Sequence, residues 1–530
     1  MEKEGETVSA VVVHDGKIVY AGTDEAALAY PARETEDLNG MTVLPGFIDS
    51  HIHVSLDLLY RSFVDLSGEK SIAGVIERMR AADDGDARRL IGAGLSMGCF
   101  TEAEIPNRYD LDEIGTDKPI LVNSACGHVK IVNSRALTEA GVPNRNAAHS
   151  EFIRYFKDGT PSGVFLENAF AAYGRESLDS IDPDSAKRKE MIRSGIRDYS
   201  AFGLTTIHTV SDAPEETQSE YIDQYFELEE SGELPARIVL HPTLPLPWPL
   251  CPQTGFGTDM VKMGSLKIFL DGALGGRSAA LLEPYTDAPG EKGVFNFTEE
   301  ELRAQMRGGY DAGLEVSIHA IGDAAMERVL NAAETVYPPS DETDPVERLR
   351  AAGKRRLRIV HAMLVNEEMM RRLKRLPLIL DVQPGFIDED SVFAEDRLGK
   401  RRIKNFMPFK LLLKNGIFLA GGSDYPFGGR PPLAAIQCAV TRKNLRGFPA
   451  EGLAPEEAVT VFEAVSMYTR NAAYCSSEEK LKGTVSAGKF ADFVVLGRDV
   501  FQSPPDEIKD IEILKTIVGG RETYSRRASP

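Results

Sequence analysis

The residues best suited to chemistry lie at the end of the segment LPGFIDSHIH, residues 44–53. An apolar run leads into His51 and His53, which are separated by one residue. In an extended chain residues i and i+2 point to the same side, so both imidazoles can reach one metal ion. A His-x-His pair is common by chance, but the end of a strand is where barrel enzymes build their active sites. The pattern therefore predicts a metal site at the end of the first strand.

Other polar residues close further apolar runs. His319 and His361 each end such a run, and the segment GGSDYP, residues 421–426, carries Asp424 just after the last one. A single histidine of this kind is more often a hydrogen-bonded interior residue than a metal ligand. Four histidines and an aspartate at the ends of separate strands are difficult to explain by packing alone. Because buried polar groups need partners, a divalent cation would satisfy all five.

Lys267 lies inside the apolar run SLKIFL, residues 265–270. Lysine is rarely buried without a partner, because an uncompensated ammonium is costly in apolar surroundings. A carboxylate such as Asp271, or a path to solvent, would explain its position. The functional alternative is that the amine is held neutral, takes up carbon dioxide and bridges two metal ions as a carbamate. The residues alone leave both interpretations open.

The elements that must position these side chains are eight short apolar runs, most of them followed by a helix-like segment. Runs buried on both faces that alternate with helices predict a parallel sheet. Eight of them favour a (β/α)8 barrel, although the count alone also allows an open doubly wound sheet. The runs cover residues 43–48, 205–209, 237–241, 265–270, 315–319, 358–361, 378–382 and 417–420.

The remaining chain divides into strand-rich ends and one long gap. Short strands are predicted near both termini, and we expect the two ends to pair as one small sheet, because termini commonly lie close together. About 155 residues separate the first apolar run from the second. That is too many for one connection between a strand and a helix, so an inserted domain is predicted there.

Six segments together resemble the amidohydrolase superfamily, and specifically its amidohydrolase 3 group of metal-dependent hydrolases, which includes the N-substituted formamide deformylases. The segments are VLPGFIDSHIHV at 43–54, LKIFLDGALGGRSAALLEPYTD at 266–287, IHAIGDAAMERVLNAAE at 318–334, RIVHAMLV at 358–365, GGSDYPFGGRPPL at 421–433 and GTVSAGKFADFVVLG at 483–497. The resemblance implies an α/β fold built on a (β/α)8 TIM barrel, with a small β-sandwich formed by both chain ends and an inserted domain after barrel strand 1. The implied boundaries are 1–42 with 480–530 for the sandwich, 43–60 with 195–479 for the barrel, and 61–194 for the insertion.

The same resemblance implies a role for each candidate residue. His51 and His53 would bind one metal, His319 and His361 a second, and Lys267, carboxylated, would bridge them. Asp424 would be both a metal ligand and the general base and acid. The implied reaction is hydrolysis of a non-peptide carbon–nitrogen bond, in an amide, formamide or cyclic amide, by a metal-bound hydroxide. A mixed nitrogen and oxygen donor set suits zinc best, with one or two ions per chain, and iron, manganese or cobalt as alternatives.

Three further residues are predicted to contact substrate. His128 lies in a segment of the insertion that resembles a motif of the group, Gly127-His128 followed by Asn133 and the next residues. His208 ends the second apolar run, and Glu167 ends a strand-like piece of the insertion. For His208 and Glu167 an ordinary structural role is the stronger interpretation.

Composition restricts the partners. With 61 Lys and Arg against 81 Asp and Glu, the formal net charge is −20. An acidic surface repels phosphate backbones, so we expect a small-molecule substrate and no nucleic acid. No apolar run approaches the roughly 18 residues of a membrane span, and the five cysteines form no C-x-x-C pair. These features predict a cytoplasmic protein without a membrane partner, and they leave a homodimer open.

Three alternatives compete with this interpretation. The segment GLSMG, residues 94–98, satisfies the G-x-S-x-G pattern of serine hydrolases, but no convincing helix follows it. A second alternative is a non-catalytic barrel that acts as a scaffold or regulator, since a fold does not guarantee chemistry. The third is an ester or lactone hydrolase, or a deaminase, that uses the same site.

Overall fold

The computed structural model describes residues 3–83, 88–96, 105–142, 152–166, 169, 185–211, 218–243, 253–353 and 355–526. Its strands are β1 (Ala10–His14), β2 (Lys17–Gly22), β3 (Thr42–Pro45), β4 (Phe47–Ile52), β5 (Val64–Asp65), β6 (Leu90–Leu95), β7 (Ile120–Ser124), β8 (Val129–Val132), β9 (Ile153–Tyr155), β10 (Pro161–Leu166), β11 (Leu204–Ser211), β12 (Arg237–Pro242), β13 (Val261–Met263), β14 (Leu266–Phe269), β15 (Val316–Ala320), β16 (Leu357–His361), β17 (Leu378–Val382), β18 (Phe418–Gly421), β19 (Phe493–Leu496), β20 (Ile513–Val518) and β21 (Arg521–Ser525).

The helices of the described residues lie mainly between the parallel strands. The α-helices are Asp24–Ala27, Val54–Tyr60, Ile72–Ala82, Arg108–Asp112, Ser134–Ala140, Ser185–Ser200, Gln218–Glu230, Glu299–Asp311, Asp323–Val336, Pro345–Ala352, Glu367–Leu373, Ile387–Asp390, Ala394–Arg402, Phe409–Lys414, Pro432–Thr441 and Val461–Met467. None of them combines the length and apolar character that crossing a membrane requires.

Two parallel sheets form the centre of the fold. One has the order β13-β12-β11-β4 and the other the order β14-β15-β16-β17-β18, and all eight predicted apolar runs supply strands to them. β12 lies against β14, and β18 lies against β4, so the sheets adjoin at both edges. The strand ladder is interrupted at these two places. The α/β fold is therefore established, and its arrangement is consistent with a TIM barrel.

Local sequence explains the alternation of helix and strand. The helix Glu299–Asp311 begins at Thr298, whose hydroxyl accepts from the N–H of Glu301, while the Glu301 carboxylate accepts from the N–H of Thr298. Leu302 and Met306, four residues apart, lie on one face and are fully buried. That face packs against β15 and the next helix, so amphipathic spacing holds the helix on the sheet.

The first predicted strand, residues 43–48, is two strands in the structure. β3 pairs antiparallel with β19, whereas β4 pairs parallel with β11. Gly46 lies where the chain passes from one sheet to the other, and a Cβ there would lie 2.1 Å from the Cγ2 of Thr205. The parallel sheet therefore begins at Phe47, later than the predicted boundary at residue 43.

The chain ends and the long gap each contain sheets of their own. β1 and β2 form a hairpin, β21-β20-β19-β3 form a second sheet, and a bridge joins Lys17 to Phe490. The N-terminal and C-terminal segments pair through β3 and β19. Between β4 and β11 the described residues include a six-stranded sheet, β5-β6-β7-β8-β10-β9, which packs over a hydrophobic cluster of its own.

Candidate metal centre

Three predicted ligands meet at the C-terminal end of the parallel strands. His51 lies in β4, His53 follows it, and Asp424 follows β18. The Oδ1 atom of Asp424 lies 3.2 Å from the Nε2 of His51 and 3.1 Å from the Nε2 of His53. The candidate ligand atoms of all three lie within 4.8 Å of one another, and each residue is at most 5% exposed.

This group has the chemistry of a cation site. The Oδ1 of Asp424 is buried and makes no hydrogen bond of acceptable geometry, although the two imidazole nitrogens are close. An unsatisfied buried carboxylate oxygen is costly, whereas a divalent ion at the common focus of the three atoms would satisfy it. The residues present therefore fit the metal that the sequence predicts.

Backbone hydrogen bonds fix the two segments that carry these ligands. The N–H of Asp424 donates to the carbonyl of His51 at 2.7 Å, and the N–H of His53 donates to the carbonyl of Tyr425 at 2.9 Å. The Oδ1 of Asp49 accepts from the N–H of His51 at 3.1 Å and from that of Ser423 at 2.9 Å. The end of β4 is thereby joined to the turn that holds Asp424.

Two candidate ligands have strained backbones. His361 has a φ of 74° and Asp424 a φ of 61°, values that L-residues rarely adopt. Each such residue costs about 1–3 kcal/mol and persists only where its surroundings hold it, and such residues cluster at functional sites. The strain at the ends of β16 and β18 indicates that the directions of the His361 and Asp424 side chains are important at this site.

The second group of predicted ligands lies beside the first. The ring centroids of His319 and His361 are 4.4 Å apart, and those of His51 and His361 are 5.9 Å apart. The Nδ1 of His361 lies 2.7 Å from the Oε1 of Gln383, which makes Nδ1 the donor and leaves Nε2 as the atom able to bind a metal. The Nε2 of His319 lies 3.2 Å from the carbonyl oxygen of Gly272.

Lys267 lies beside His51 of the first group. It is 1% exposed, and its Nζ is 3.1 Å from the Nε2 of His51. The carboxylate of Asp271, the predicted alternative partner, accepts from the backbone N–H groups of Ala280, Ile321 and Gly322, at 2.9 to 3.0 Å. Asp271 therefore fixes the loops after β14 and β15.

Burial and charge keep the imidazoles neutral. Burial lowers the pKa of His51 and His319 well below the usual value, and the Lys267 ammonium adds to the effect. The pKa of His361 falls to about 3 for the same reasons. Burial alone would raise the pKa of Asp424, but its contacts with His51 and His53 outweigh this and hold it well below its usual value. Neutral imidazoles and an ionised carboxylate are the forms that bind a metal.

A model of the amidohydrolase family matches residues 34–524. The chain belongs to this family. It is 34% identical to YtcJ of Bacillus subtilis, provisionally named an amidohydrolase, over 99% of this chain and 98% of YtcJ. It is 28% identical to the N-substituted formamide deformylase of Arthrobacter pascens, over 98% of this chain and 95% of that protein. A crystal structure of an uncharacterized metal-dependent hydrolase from Pyrococcus horikoshii has a TM-score of 0.72 and 27% identity, covering 94% of this chain and 95% of that one.

The three residues predicted to contact substrate in this amidohydrolase differ in position. His128, from the six-stranded sheet region, has its ring centroid 5.0 Å from that of His319. His208 is fully buried and stacks on His241, with 5.5 Å between the ring centroids. Its role in substrate binding stays a prediction. Glu167 lies outside the described residues, as does part of the segment 94–98.

Beneath the candidate ligands the amidohydrolase has a buried polar network that the sequence analysis did not identify. Arg358 forms an ion pair with Asp381 and donates to the carbonyl of Ser50 at 2.6 Å. The hydroxyl of Ser50 donates to Asp381 at 2.5 Å. Ser50 is the neighbour of His51, so the network supports the strand that carries the first ligand. The sequence did offer a signal for this network: Arg358 and Asp381 are charged residues inside two of the predicted apolar runs, as Lys267 is inside a third.

A cavity opens directly beyond the candidate ligands. Ile321 and Met363 line it, and each lies two residues after a candidate histidine ligand. Phe386, which stacks on His361, and Phe427, which packs edge-on against His53, form two more walls.

Proposed function

We propose that this amidohydrolase is a metal-dependent hydrolase that cleaves a non-peptide carbon–nitrogen bond in an amide, formamide or cyclic amide. The observation that carries the proposal is the buried Asp424 oxygen, which His51 and His53 approach without satisfying, beside a cavity that Phe386 and Phe427 line. The names of the relatives support the reaction class: one is a formamide deformylase and another a metal-dependent hydrolase.

The chain's own residues suggest the metal set. His51, His53 and Asp424 would hold one zinc ion, and His319 and His361 a second. Lys267 would join the two sites if its amine were carboxylated. Its burial and its position 3.1 Å from the Nε2 of His51 support this assignment, because burial favours the neutral amine over the ammonium, and the neutral amine is the form that takes up carbon dioxide.

The proposed reaction uses Asp424 as the proton carrier. A divalent metal ion in such a site lowers the pKa of water and polarises a carbonyl group. Asp424, ionised at neutral pH because its pKa is low, would accept a proton from the attacking water and return it to the leaving nitrogen. Phe386 and Phe427 would hold the apolar part of the substrate against the two histidines they contact. His128 would approach the substrate from the inserted segment.

We also propose that the two parallel sheets are halves of one (β/α)8 barrel. Of their nine strands, β13 and β14 are separated by only two residues and would count as one interrupted barrel strand, which leaves eight. The backbone bonds from Asp424 to His51 and from His53 to Tyr425 join β4 to the segment after β18 and so support a closed ring. The sheets of the chain ends and of the inserted segment would then be separate accessory units.

The test of this function is a hydrolysis screen of zinc-loaded protein against amides, N-formyl compounds, hydantoins and esters. We expect release of an amine or acid from at least one carbon–nitrogen substrate, and its loss in His51→Ala with His53→Ala. Asp396→Asn, an exposed carboxylate removed elsewhere, is the matched control and should retain activity. Hydrolysis of esters alone, or activity that survives removal of both histidines, would contradict the proposal.

A further inference from the structure

The strand β17 carries no predicted metal ligand, although both of its neighbours in the sheet lead to one. β16 ends in His361, and the segment after β18 carries Asp424. Asp381 near the end of β17 and Gln383 just after it are nonetheless buried polar residues, and Gln383 is only 1% exposed. Burying a polar side chain costs free energy unless hydrogen bonds compensate for it. The hydrogen bonds of Gln383 therefore indicate what this residue does.

The amide group of Gln383 is fixed in one orientation. Its Nε2 donates to the carbonyl oxygen of Asp381 at 3.1 Å. Because a carbonyl oxygen only accepts, the amide nitrogen must face Asp381 and the amide oxygen must face the other way. That oxygen, Oε1, lies 2.7 Å from the Nδ1 of His361. An amide oxygen also only accepts, so the Nδ1 of His361 carries the hydrogen and its Nε2 keeps the lone pair.

Two residues of one short segment hold the imidazole of His361. Phe386, in the turn Pro384–Phe386 that follows Gln383, stacks on the imidazole with 18° between the ring planes. Stacking restrains the plane of the imidazole, but a ring turned over about its bond to Cβ would stack equally well. The hydrogen bond from Nδ1 to Gln383 is what distinguishes the two orientations, because only one of them brings a donor to Oε1.

His319, the other predicted ligand of the second metal ion, has a partner of a different kind. Its Nε2 lies 3.2 Å from the carbonyl oxygen of Gly272, so Nε2 is the atom that carries the hydrogen. This acceptor belongs to the main chain, and a side-chain substitution at Gln383 does not remove it. The tautomer of His361 therefore depends on one side chain, whereas the tautomer of His319 does not.

We propose that Gln383 is a positioning residue for the second metal ion, which it serves by holding His361 in the Nδ1–H tautomer with Nε2 available as the ligand atom. The inference rests on the metal set of the proposed function, but it does not depend on which bond the enzyme cleaves. β17 then supports both parts of the metal centre. Asp381 accepts from Ser50, the neighbour of His51, and Gln383 accepts from His361.

The test uses the full chain with Gln383→Met, which keeps an unbranched side chain and removes the acceptor. Nitrogen NMR of histidine-labelled, zinc-free protein reports which nitrogen of each imidazole carries the hydrogen. We expect the Nδ1–H form of His361 in the natural protein, the loss of this preference in Gln383→Met, and an unchanged Nε2–H form of His319 in both.

Zinc competition with a chromophoric chelator measures the consequence for metal binding. His361→Ala identifies the zinc equivalent that uses His361. Gln383→Met should bind that equivalent about 10–100-fold more weakly, the range found when the partner of a metal-ligating histidine is lost, and should bind the other equivalent as the natural protein does. Gln437→Met is the matched control, because Gln437 is also buried and its Oε1 accepts from the N–H of Lys509 in another part of the fold. It should change neither zinc affinity nor the tautomer of His361.

Three results would overturn the proposal. The first is an Nε2–H form of His361 in the natural protein, and this measurement requires no variant to fold. The second is that no zinc equivalent depends on His361, and the third is unchanged zinc affinity in Gln383→Met. The expected tautomer and zinc affinities without any carbon–nitrogen hydrolysis would contradict the proposed function and leave this inference intact.

Discussion

Gly422 is the position at which a single methyl group should damage the candidate metal centre and leave most of the fold intact. The residue follows β18 and lies against β4, so a Cβ there would be 2.7 Å from the backbone nitrogen of His51 and 2.9 Å from its Cβ. To reach ordinary van der Waals separation, the two segments would have to move apart by about 0.7 Å. One of these segments carries His51 and His53, and the other carries Asp424.

The expected size of the effect on zinc affinity and on stability depends on how much displacement the metal site and the surrounding packing can tolerate. Metal–ligand distances tolerate deviations of about 0.2 Å, so this displacement should lower zinc affinity by about 10–100-fold, the range found when supporting contacts of a metal site are lost. Overpacking of this kind costs about 1–3 kcal/mol of stability. We therefore expect Gly422→Ala to remain folded with weakened metal binding and reduced turnover.

The assay is zinc competition with a chromophoric chelator, together with circular dichroism to verify the fold. Gly308→Ala is the matched control, because Gly308 is an exposed helical residue with no atom within 4 Å of an added Cβ. That substitution should leave zinc affinity unchanged. If Gly422→Ala binds zinc as tightly as the natural protein does, the reasoning is refuted that the close approach of Gly422 to His51 positions the ligands.

Three further predictions concern single side chains. Asp424→Asn keeps one oxygen ligand and removes the base, so steady-state kinetics should show kcat reduced by about 10²–10⁴-fold with most metal retained, and near-normal turnover would exclude Asp424 as the base. Lys267→Ala and Lys267→Arg should both lose metal by elemental analysis, since a guanidinium cannot be carboxylated, and full metal content in Lys267→Arg would contradict a bridging role. Glu315, buried at the start of β15, has its pKa raised by burial from 4.5 to about 7, with Arg356 and Arg358 offsetting part. The stability it contributes is complete below about pH 4.5 and is lost as the pH rises through 7, a loss of about 3 kcal/mol. In Glu315→Gln the free energy of unfolding, measured by chemical unfolding at pH 5 and pH 8, should not show this loss. The same pH dependence as in the natural protein would contradict the prediction.

The features that could be predicted from sequence are local ones. The spacing of His51 and His53 and the apolar run before them lie within a few residues, and the matching family segments extend over nearly the whole chain. The amidohydrolase family and the α/β fold were predicted on this basis and are confirmed. The metal-ligand and catalytic roles stay predictions, although the structure brings His51, His53 and Asp424 together.

The features that could not be predicted depend on contacts between distant segments. The bond from Ser50 to Asp381 joins residues 331 positions apart, and that from Ser423 to Asp49 joins residues 374 apart. The hydrophobic periodicity of a single sequence gives no information about contacts between residues so far apart. The division of residues 43–48 into two strands has the same origin, because it depends on the pairing of β3 with β19.

The central claim is that His51, His53 and Asp424 hold a metal ion. The most direct test is a crystal structure of the active, zinc-loaded protein, with anomalous diffraction recorded on both sides of the zinc absorption edge. We predict an anomalous peak about 2.0–2.2 Å from the Nε2 atoms of both histidines and from a carboxylate oxygen of Asp424. Active crystals with zinc elsewhere and no peak among these three side chains would contradict the claim.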